Sequence, residues 1–282
     1  MSIPERREAV RFLETSGVSV QRACVLVQLH RSTFHYQARP LTDDGVMEEI
    51  AALAQAHPRY GYRRIWAVIR RSRRINRKRV HRLWKQARLQ VRRVKRRRVR
   101  PERPAQVAAA YPNHVWAYDF LEDPDAQGRI LKILPVMDEF TREGLAVDVA
   151  ATTSAERVIS VLGQLVAQHG APAFVRSDNG AEFVALAVQL WLAQRQIETL
   201  YIDPGCPWQN GKDERFNGTV RDECLTLHVF TSVGEARVRL EGFRKHYNEE
   251  RPHSRLGYRT PSEFKRAWGE AQAKGQDSNI PT

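Results

Sequence analysis

The sequence contains few cysteines and no long apolar run. Its three cysteines, Cys24, Cys206 and Cys224, lie far apart, and an odd, scattered set forms neither a disulfide framework nor a zinc-binding spacing. There is no stretch of about 20 apolar residues, which excludes a membrane-spanning helix. The opening residues MSIPERREAV are not followed by the apolar region of a secretory signal. We therefore expect a cytoplasmic protein with reduced thiols and no membrane partner.

Positive charge is concentrated in one segment of the 282-residue chain, whose net charge is +14. Residues 59–103 contain 21 Lys and Arg residues and a single acid, Glu102, whereas the segments on either side are slightly acidic. This segment predicts a polyanionic partner, with nucleic acid as the leading candidate. The alternative is a basic tail that only aids solubility.

The first hundred residues have helical periodicity. Residues 17–38 predict two short helices, the second capped by Ser32 or Thr33, so we expect a helix-turn-helix-like segment over residues 1–40; a simple two-helix hairpin is the alternative. Residues 45–100 predict a second, basic helix-turn-helix module with a basic linker. There Asn76 is expected to cap a helix whose apolar side chains point inward and whose outer face is cationic.

From residue 111 onward, strand and helix patterns alternate. We predict strands over 115–122, 130–140, 145–151, 173–178 and 199–203, and helices over 154–169, 181–195, 209–225, 233–248 and 261–268. This order predicts an α/β catalytic domain over residues 108–270, with a mixed five-stranded sheet and helices on both of its faces. Residues 271–282 are expected to be a disordered tail.

Three acids stand out in this region. Asp119 interrupts an apolar strand pattern, where Asp is disfavoured, and Asp178 ends the fourth predicted strand, at an edge where sites gather in α/β sheets. Glu214 lies on a polar helix, with Asn217 and Arg221 on the same side. A metal site would explain all three acids, whereas a turn residue, a solvated acid or an exposed helix would explain each one alone.

These acids and their flanking motifs resemble one family. Asp119, the run Asp178-Asn-Gly-Ala-Glu-Phe and Glu214, with 35 residues between the last two acids, resemble the DDE signature of integrase-core transposases. The segments HPRYGYRRIWAVIRR, PGCPWQNGKDERFNGTVRDECL and YNEERPHSRLGYRTPSEF resemble the OrfB-type transposase of the third insertion-sequence family. The resemblance covers about residues 17–268, and nothing in the chain matches the zinc module of retroviral integrases.

The resemblance implies an RNase H-like core in which Asp119, Asp178 and Glu214 are catalytic and bind two Mg²⁺ ions, with Mn²⁺ as an alternative. It implies cleavage at the 3′ ends of a mobile element, followed by strand transfer. The adjacent acid Asp213 could be taken for the third acid, but the spacing favours Glu214. A non-enzymatic DNA-binding regulator and a general RNase H-like nuclease are the competing interpretations.

Double-stranded DNA, as element ends and as target, is the expected partner. The resemblance also implies a homo-oligomer on paired ends, fusion to or cooperation with a DNA-binding protein from an upstream reading frame, and action at the bacterial nucleoid. For Trp208, packing in the core is the alternative to a DNA contact. The predicted DNA-binding residues are Arg63, Arg64, Arg70, Arg71, Arg77, Lys78, Arg82, Lys85, Trp208, Gln209, Asn210, Lys212, Arg215 and Arg221.

Overall fold

The computed structural model describes residues 1–37, 43–91, 107–152, 154–177, 186–201 and 213–277. The chain divides into two compact units, Met1–Glu48 and Glu49–Thr282. The second unit therefore contains most of the predicted basic module together with the predicted catalytic domain. The helices are α1 (Ile3–Thr15), α2 (Val20–Leu26), α3 (Arg31–His35), α4 (Asp44–Ala56), α5 (Tyr62–Ser72), α6 (Arg77–Gln86), α7 (Ala155–His169), α8 (Leu186–Ala193), α9 (Asp213–Glu223), α10 (Val233–Glu249) and α11 (Pro261–Asp277). The strands are β1 (Val115–Tyr118), β2 (Leu121–Pro124), β3 (Ile130–Asp138), β4 (Gly144–Ala150), β5 (Phe174–Ser177) and β6 (Glu198–Tyr201).

The first unit packs α1, α2 and α3 around a small core that includes Val10, Ala23 and Leu29. The two short helices predicted over residues 17–38 are present as α2 and α3. The predicted cap of the second helix at Ser32 or Thr33 is wrong, because the N-cap is His30, which makes no side-chain capping bond. Gln28 adopts a left-handed conformation with φ of 53° at the end of α2. The chain therefore turns early, and α3 begins before either hydroxyl residue.

The sheet of the second unit is mixed. Within the described ranges it has six strands in the order β2-β3-β1-β5-β6, with β4 paired to β3. β1 and β2 both pair antiparallel with β3, in one continuous register. The predicted strand over 115–122 is therefore divided into two, which explains why six strands are found where five were predicted.

The division of this strand has a local cause. The register that pairs Tyr118 with Val136 and Leu121 with Ile133 places Asp119 opposite Pro135. Proline has no backbone N–H to donate to the ladder, so strand pairing is interrupted at this position. Asp119 therefore lies in a gap between two strands rather than in the middle of one.

Helices cover both faces of the sheet. Alternate residues of a strand point to opposite faces, and in β1 the buried Trp116 and Tyr118 pack in a cluster with side chains of α7 and α8. Ala117 belongs to a second cluster, which contains side chains of α9 and α10. The predicted arrangement, a mixed sheet between two helical layers, is confirmed. In this arrangement α9 packs on the face of the sheet to which Ala117 of β1 points.

The basic module predicted over residues 45–100 contains α4 and, after it, the pair α5 and α6. The predicted cap at Asn76 is confirmed, since its Oδ1 accepts a hydrogen bond of 2.8 Å from the backbone N–H of Lys78. Ile65, Val80 and Leu83 are fully buried, as the apolar periodicity predicts. The basic linker expected at the end of this module lies almost wholly outside the described residues.

The C-terminal helix is longer than predicted. α11 continues to Asp277, so residues 271–277 are helical where a disordered tail was predicted; residues 278–282 lie outside the described residues. Alanine, glutamine and lysine in this stretch are strong helix formers, which accounts for the extension. Among the helices that the structure describes, none is long and apolar enough to cross a membrane.

Candidate active site

Asp119 directly follows β1 and is partly exposed. One carboxylate oxygen, Oδ1, accepts a hydrogen bond of 2.8 Å from the backbone N–H of Phe120. The other, Oδ2, accepts a bond of 3.1 Å from the Nδ2 amide of Asn217 on α9. These two bonds fix the orientation of the carboxylate at the gap between β1 and β2.

α9 is held against the sheet by its apolar residues. Phe216 is only 1% exposed and lies in the cluster that contains Ala117 of β1. The helix approaches β4 closely, since a Cβ atom added to Gly144 would lie 2.8 Å from the Cζ atom of Phe216. A larger residue at the start of β4 would therefore force the Phe216 ring, or α9 with it, to shift.

Glu214 is exposed and lies one helical turn before the buried Asn217. Side chains three residues apart on a helix are neighbours, with Cβ atoms roughly 5–6 Å apart. Because the Asn217 amide touches Asp119, Glu214 projects from α9 on the side that faces this carboxylate. Glu214 therefore lies on the helix turn next to the residue that contacts Asp119.

The third predicted acid, Asp178, lies outside the described residues, as do Trp208, Gln209, Asn210 and Lys212, and the side chain of Asp213 is not described either. Ser177, the residue before Asp178, ends β5. This strand runs parallel to β1, with Ala117 paired to Arg176. Both strands therefore end at the same edge of the sheet. Within the described ranges, no group of three or more His, Cys, Asp or Glu side chains is placed to hold a metal ion.

Comparison with known proteins agrees with this architecture. Residues 109–207 and 195–261 match integrase core domain families, and residues 42–98 match an HTH-like domain. An uncharacterized 39.2 kDa protein of insertion element IS476 from Xanthomonas euvesicatoria is 40% identical over 267 residues, which cover 93% of this chain and 77% of that protein. The transposase InsD of insertion element IS2 from Escherichia coli is 30% identical over 276 residues, which cover 89% of this chain and 91% of InsD.

The chain belongs to the insertion-element transposase family. The predictions of an OrfB-type transposase, an RNase H-like integrase core and a DDE polynucleotidyl transferase are confirmed. The transposase acts in DNA transposition through DDE chemistry, and integrase-core proteins generally depend on divalent metal ions. Among solved structures, the catalytic core domain of HTLV-2 integrase in complex with magnesium aligns with a TM-score of 0.44 at 18% identity, covering 56% of this chain and 99% of that chain.

Several cationic side chains of the transposase lie on α9 or interact electrostatically with its arginines. Arg215 and Arg221 are both exposed, as expected of DNA contacts. Burial raises the pKa of Asp123 on β2, and the charge of Arg221 partly opposes this rise. Burial lowers the pKa of Arg142, and the charges of Arg255 and Arg215 lower it further. The charges of Arg142, Arg215 and Arg255 thus influence one another, which the sequence did not indicate.

The predicted DNA-binding arginines of α5, and Arg77 at the start of α6, have different partners. Arg64 forms an ion pair of 3.0 Å with Glu223 of α9, and Arg71 forms one of 2.9 Å with Glu263 of α11. Arg70 lies over the ring of Trp66, 4.6 Å from its centroid, and Arg77 lies 6.0 Å from the same ring. Arg63 is exposed and donates a hydrogen bond to the hydroxyl of Tyr62.

The outer face of α6 is different. Lys78, Arg82 and Lys85 are exposed and follow one another at intervals of four and three residues, which places them on one side of the helix. We call this set the α6 stripe. Its members are exposed, whereas Arg64 and Arg71 form ion pairs with acids of the catalytic domain.

The sequence indicates the position of Asn217 in part, and it does not indicate the ion pairs of Glu223. The spacing of Asn217 three residues after Glu214 predicts that both share a side of α9, but not that Asn217 donates to Asp119. The ion pairs of Glu223 were not predicted at all. Glu223 lies nine residues after Glu214 and therefore on the opposite side of the helix. Helical periodicity thus gives no reason to connect Glu223 with the catalytic side.

Proposed function

We propose that the transposase cleaves DNA at the 3′ ends of its insertion sequence and joins those ends to target DNA, using Asp119, Asp178 and Glu214. The observation that carries the proposal is the 3.1 Å hydrogen bond from Asn217 to Asp119. This bond holds the helix turn of Glu214 next to the end of β1. Water first releases a 3′-OH at the element end, and this hydroxyl then attacks a phosphodiester of the target, so no covalent protein intermediate is required.

The donor atoms at this site fit magnesium. Carboxylate oxygens are the ligands that Mg²⁺ prefers, and Asp119 and Glu214 present them at a partly open surface. We propose Asp178, which follows Ser177 at the shared edge of β1 and β5, as the third ligand. When bound, two Mg²⁺ ions activate the attacking oxygen and stabilise the leaving oxygen of an in-line displacement. Mn²⁺ takes similar oxygen ligands and is expected to substitute.

We propose the α6 stripe as the main phosphate contact of the basic module, because its three cations are exposed on one helix face. Arg63, Arg70 and Arg77, together with Arg215 and Arg221 near the active site, are proposed as further contacts. Two proposals rest on family resemblance: assembly of several copies on paired element ends, at the nucleoid, and fusion to or cooperation with an upstream-frame DNA-binding protein.

The proposed function is tested with the purified full chain and a duplex that carries the element's own terminal sequence. With Mg²⁺ or Mn²⁺ we expect a 3′-end nick and then a joined product, and with EDTA we expect binding without breakage. Binding with no breakage under any metal would support a regulator instead. Nicking without joining, at any duplex sequence, would indicate a general nuclease.

The α6 stripe predicts a change in the salt dependence of DNA binding. Each phosphate neutralised by a cation adds about 0.9 to the slope of log K against log salt concentration. Replacing Lys78, Arg82 and Lys85 together with glutamine should therefore reduce that slope by about 2.7, as measured by fluorescence anisotropy over a salt series. Lys245→Gln, at an exposed position of α10, should leave the slope unchanged. Equal slopes for the triple variant and the wild type would show that the α6 stripe does not contact phosphates.

A further inference from the structure

We propose that Arg64 is a positioning residue of the transposase, which through Glu223 fastens the helix pair α5–α6 to the helix that carries Glu214. It would then serve the reaction by holding α9 in place rather than by contacting DNA. This inference rests on the proposed function, since that proposal makes Glu214 a catalytic acid. It also assigns a different role to a residue that the sequence grouped with the DNA contacts.

Glu223, the last residue of α9, receives two guanidinium groups. Arg251, which follows α10, donates from Nε to Oε2 and from a terminal nitrogen to Oε1, both at 2.7 Å. Arg64 of α5 donates to Oε1 at 3.0 Å. The side chains of Arg64, Glu223 and Arg251 are 31%, 11% and 4% exposed. One carboxylate therefore joins three segments that are distant in the sequence, in a largely buried place.

The charge environment supports a structural use of this cluster. Burial raises the pKa of Glu223, but the hydrogen bond and charge of Arg251 and the charge of Arg64 outweigh it, so the pKa lies below the usual value. The carboxylate is therefore ionised at neutral pH. It partly neutralises Arg64, whose guanidinium also lies over the ring of Tyr60, 5.3 Å from the centroid. A cation held in this way is poorly placed to neutralise a phosphate.

Neighbouring contacts extend the same junction. The hydroxyl of Tyr60 lies 3.0 Å from Nε2 of His246 on α10, and the ring of His57 stacks on that histidine with centroids 5.0 Å apart. Further along α5, Trp66 makes an edge contact with Tyr258, with centroids 5.7 Å apart. α5 is thus seated on the C-terminal part of the catalytic domain. Within this junction, Arg64 reaches α9 itself through its contact with Glu223.

The junction matters for catalysis because α9 is a single rigid segment. Glu223 and Glu214 are nine residues apart, so about 13.5 Å of helix separates them. A change of tilt at the Glu223 end is carried to the Glu214 turn, and a misplacement of about 1 Å at a reacting group can cost a hundredfold in rate. A fixed α9 also keeps the α6 stripe at a set distance from the acids, so that DNA bound by one reaches the other.

The inference is tested with Arg64→Gln, Arg64→Lys and Lys78→Gln in the full chain. For Arg64→Gln we expect an unchanged salt slope of DNA binding and a roughly 10- to 100-fold lower strand-transfer rate at saturating DNA. Arg64→Lys should recover most of that rate, since a single nitrogen of Arg64 contacts Glu223. Lys78→Gln should show the opposite pattern, with a slope reduced by about 0.9 and a higher DNA concentration at half-maximal rate.

Amide hydrogen exchange supplies a readout that does not depend on activity. Arg64→Gln should increase exchange in both α5 and α9, whereas Lys245→Gln on the exposed side of α10 should not. If Arg64→Gln lowers the salt slope as Lys78→Gln does, or leaves rate and exchange unchanged, the positioning role is wrong. If the wild-type chain shows no metal-dependent cleavage, the proposed function fails, and the exchange data still decide whether Arg64 holds α9.

Discussion

Asp119→Asn, Asp178→Asn and Glu214→Gln are each expected to abolish Mg²⁺-dependent cleavage and strand transfer while DNA binding is retained. Each change keeps the shape of the side chain and removes the negative charge that would hold a cation. Bound metal ions contribute several kcal/mol to such reactions, and each 1.36 kcal/mol corresponds to a factor of ten in rate. We therefore expect losses of at least about a thousandfold, measured with end-labelled oligonucleotides in single-turnover reactions.

Asp213→Asn is the matched control for these variants. Asp213 precedes Glu214 in α9, and successive helix positions are about 100° apart around the axis, so loss of Asp213 should change the rate little. Anisotropy with the same duplex establishes that binding is kept. Full strand transfer by any of the three variants would remove that acid from the active site. A loss in Asp213→Asn with normal activity in Glu214→Gln would make Asp213 the third acid.

Arg176→Met is expected to cause the largest loss of stability. Arg176 of β5 pairs with Glu139 at 2.7 Å, and the two side chains are only 6% and 2% exposed. Arg176 also donates to the carbonyl of Val107 at 2.9 Å. Arg176→Met breaks this buried ion pair, and breaking a buried pair by removing one partner costs about 3–5 kcal/mol. The free energy of unfolding from urea titrations measures this loss.

An exposed ion pair provides the comparison. Lys132 pairs with Glu122 across β2 and β3, with side-chain exposures of 33% and 57%, and Lys132→Met should cost about 1 kcal/mol or less. The double variant Arg176→Met/Glu139→Leu should be more stable than Arg176→Met, since it removes the buried carboxylate together with the guanidinium. A cost for Arg176→Met as small as that for Lys132→Met would show that the Arg176–Glu139 pair does not stabilise the end of β5.

Local patterns predicted most of the secondary structure, because they depend on neighbours in the sequence. The cap at Asn76 and the apolar run that forms the fully buried strand β1 are of this kind. The interruption at Asp119 was missed because its cause, Pro135, lies on another strand. A sequence shows that an Asp sits among apolar residues, but it does not show which residue is paired opposite.

The orientation of the basic residues was missed for a related reason. Periodicity indicates that Arg64 and Arg71 are on the polar side of α5, but a polar side can face either solvent or another polar surface. Here it faces Glu223 and Glu263, two acids that the sequence places far away. The number of cations in a segment therefore overstates the number available to DNA.

The proline opposite Asp119 has a wider consequence for how such a site is built. The interior of a sheet is stiff because each chain is locked to its neighbours, and for the same reason it has no opening for a polar group. One missing donor on β3 releases the adjoining chain for two residues, while β1 and β2 remain locked on either side. Asp119 can therefore contact α9, while the strands on either side of it stay rigidly paired.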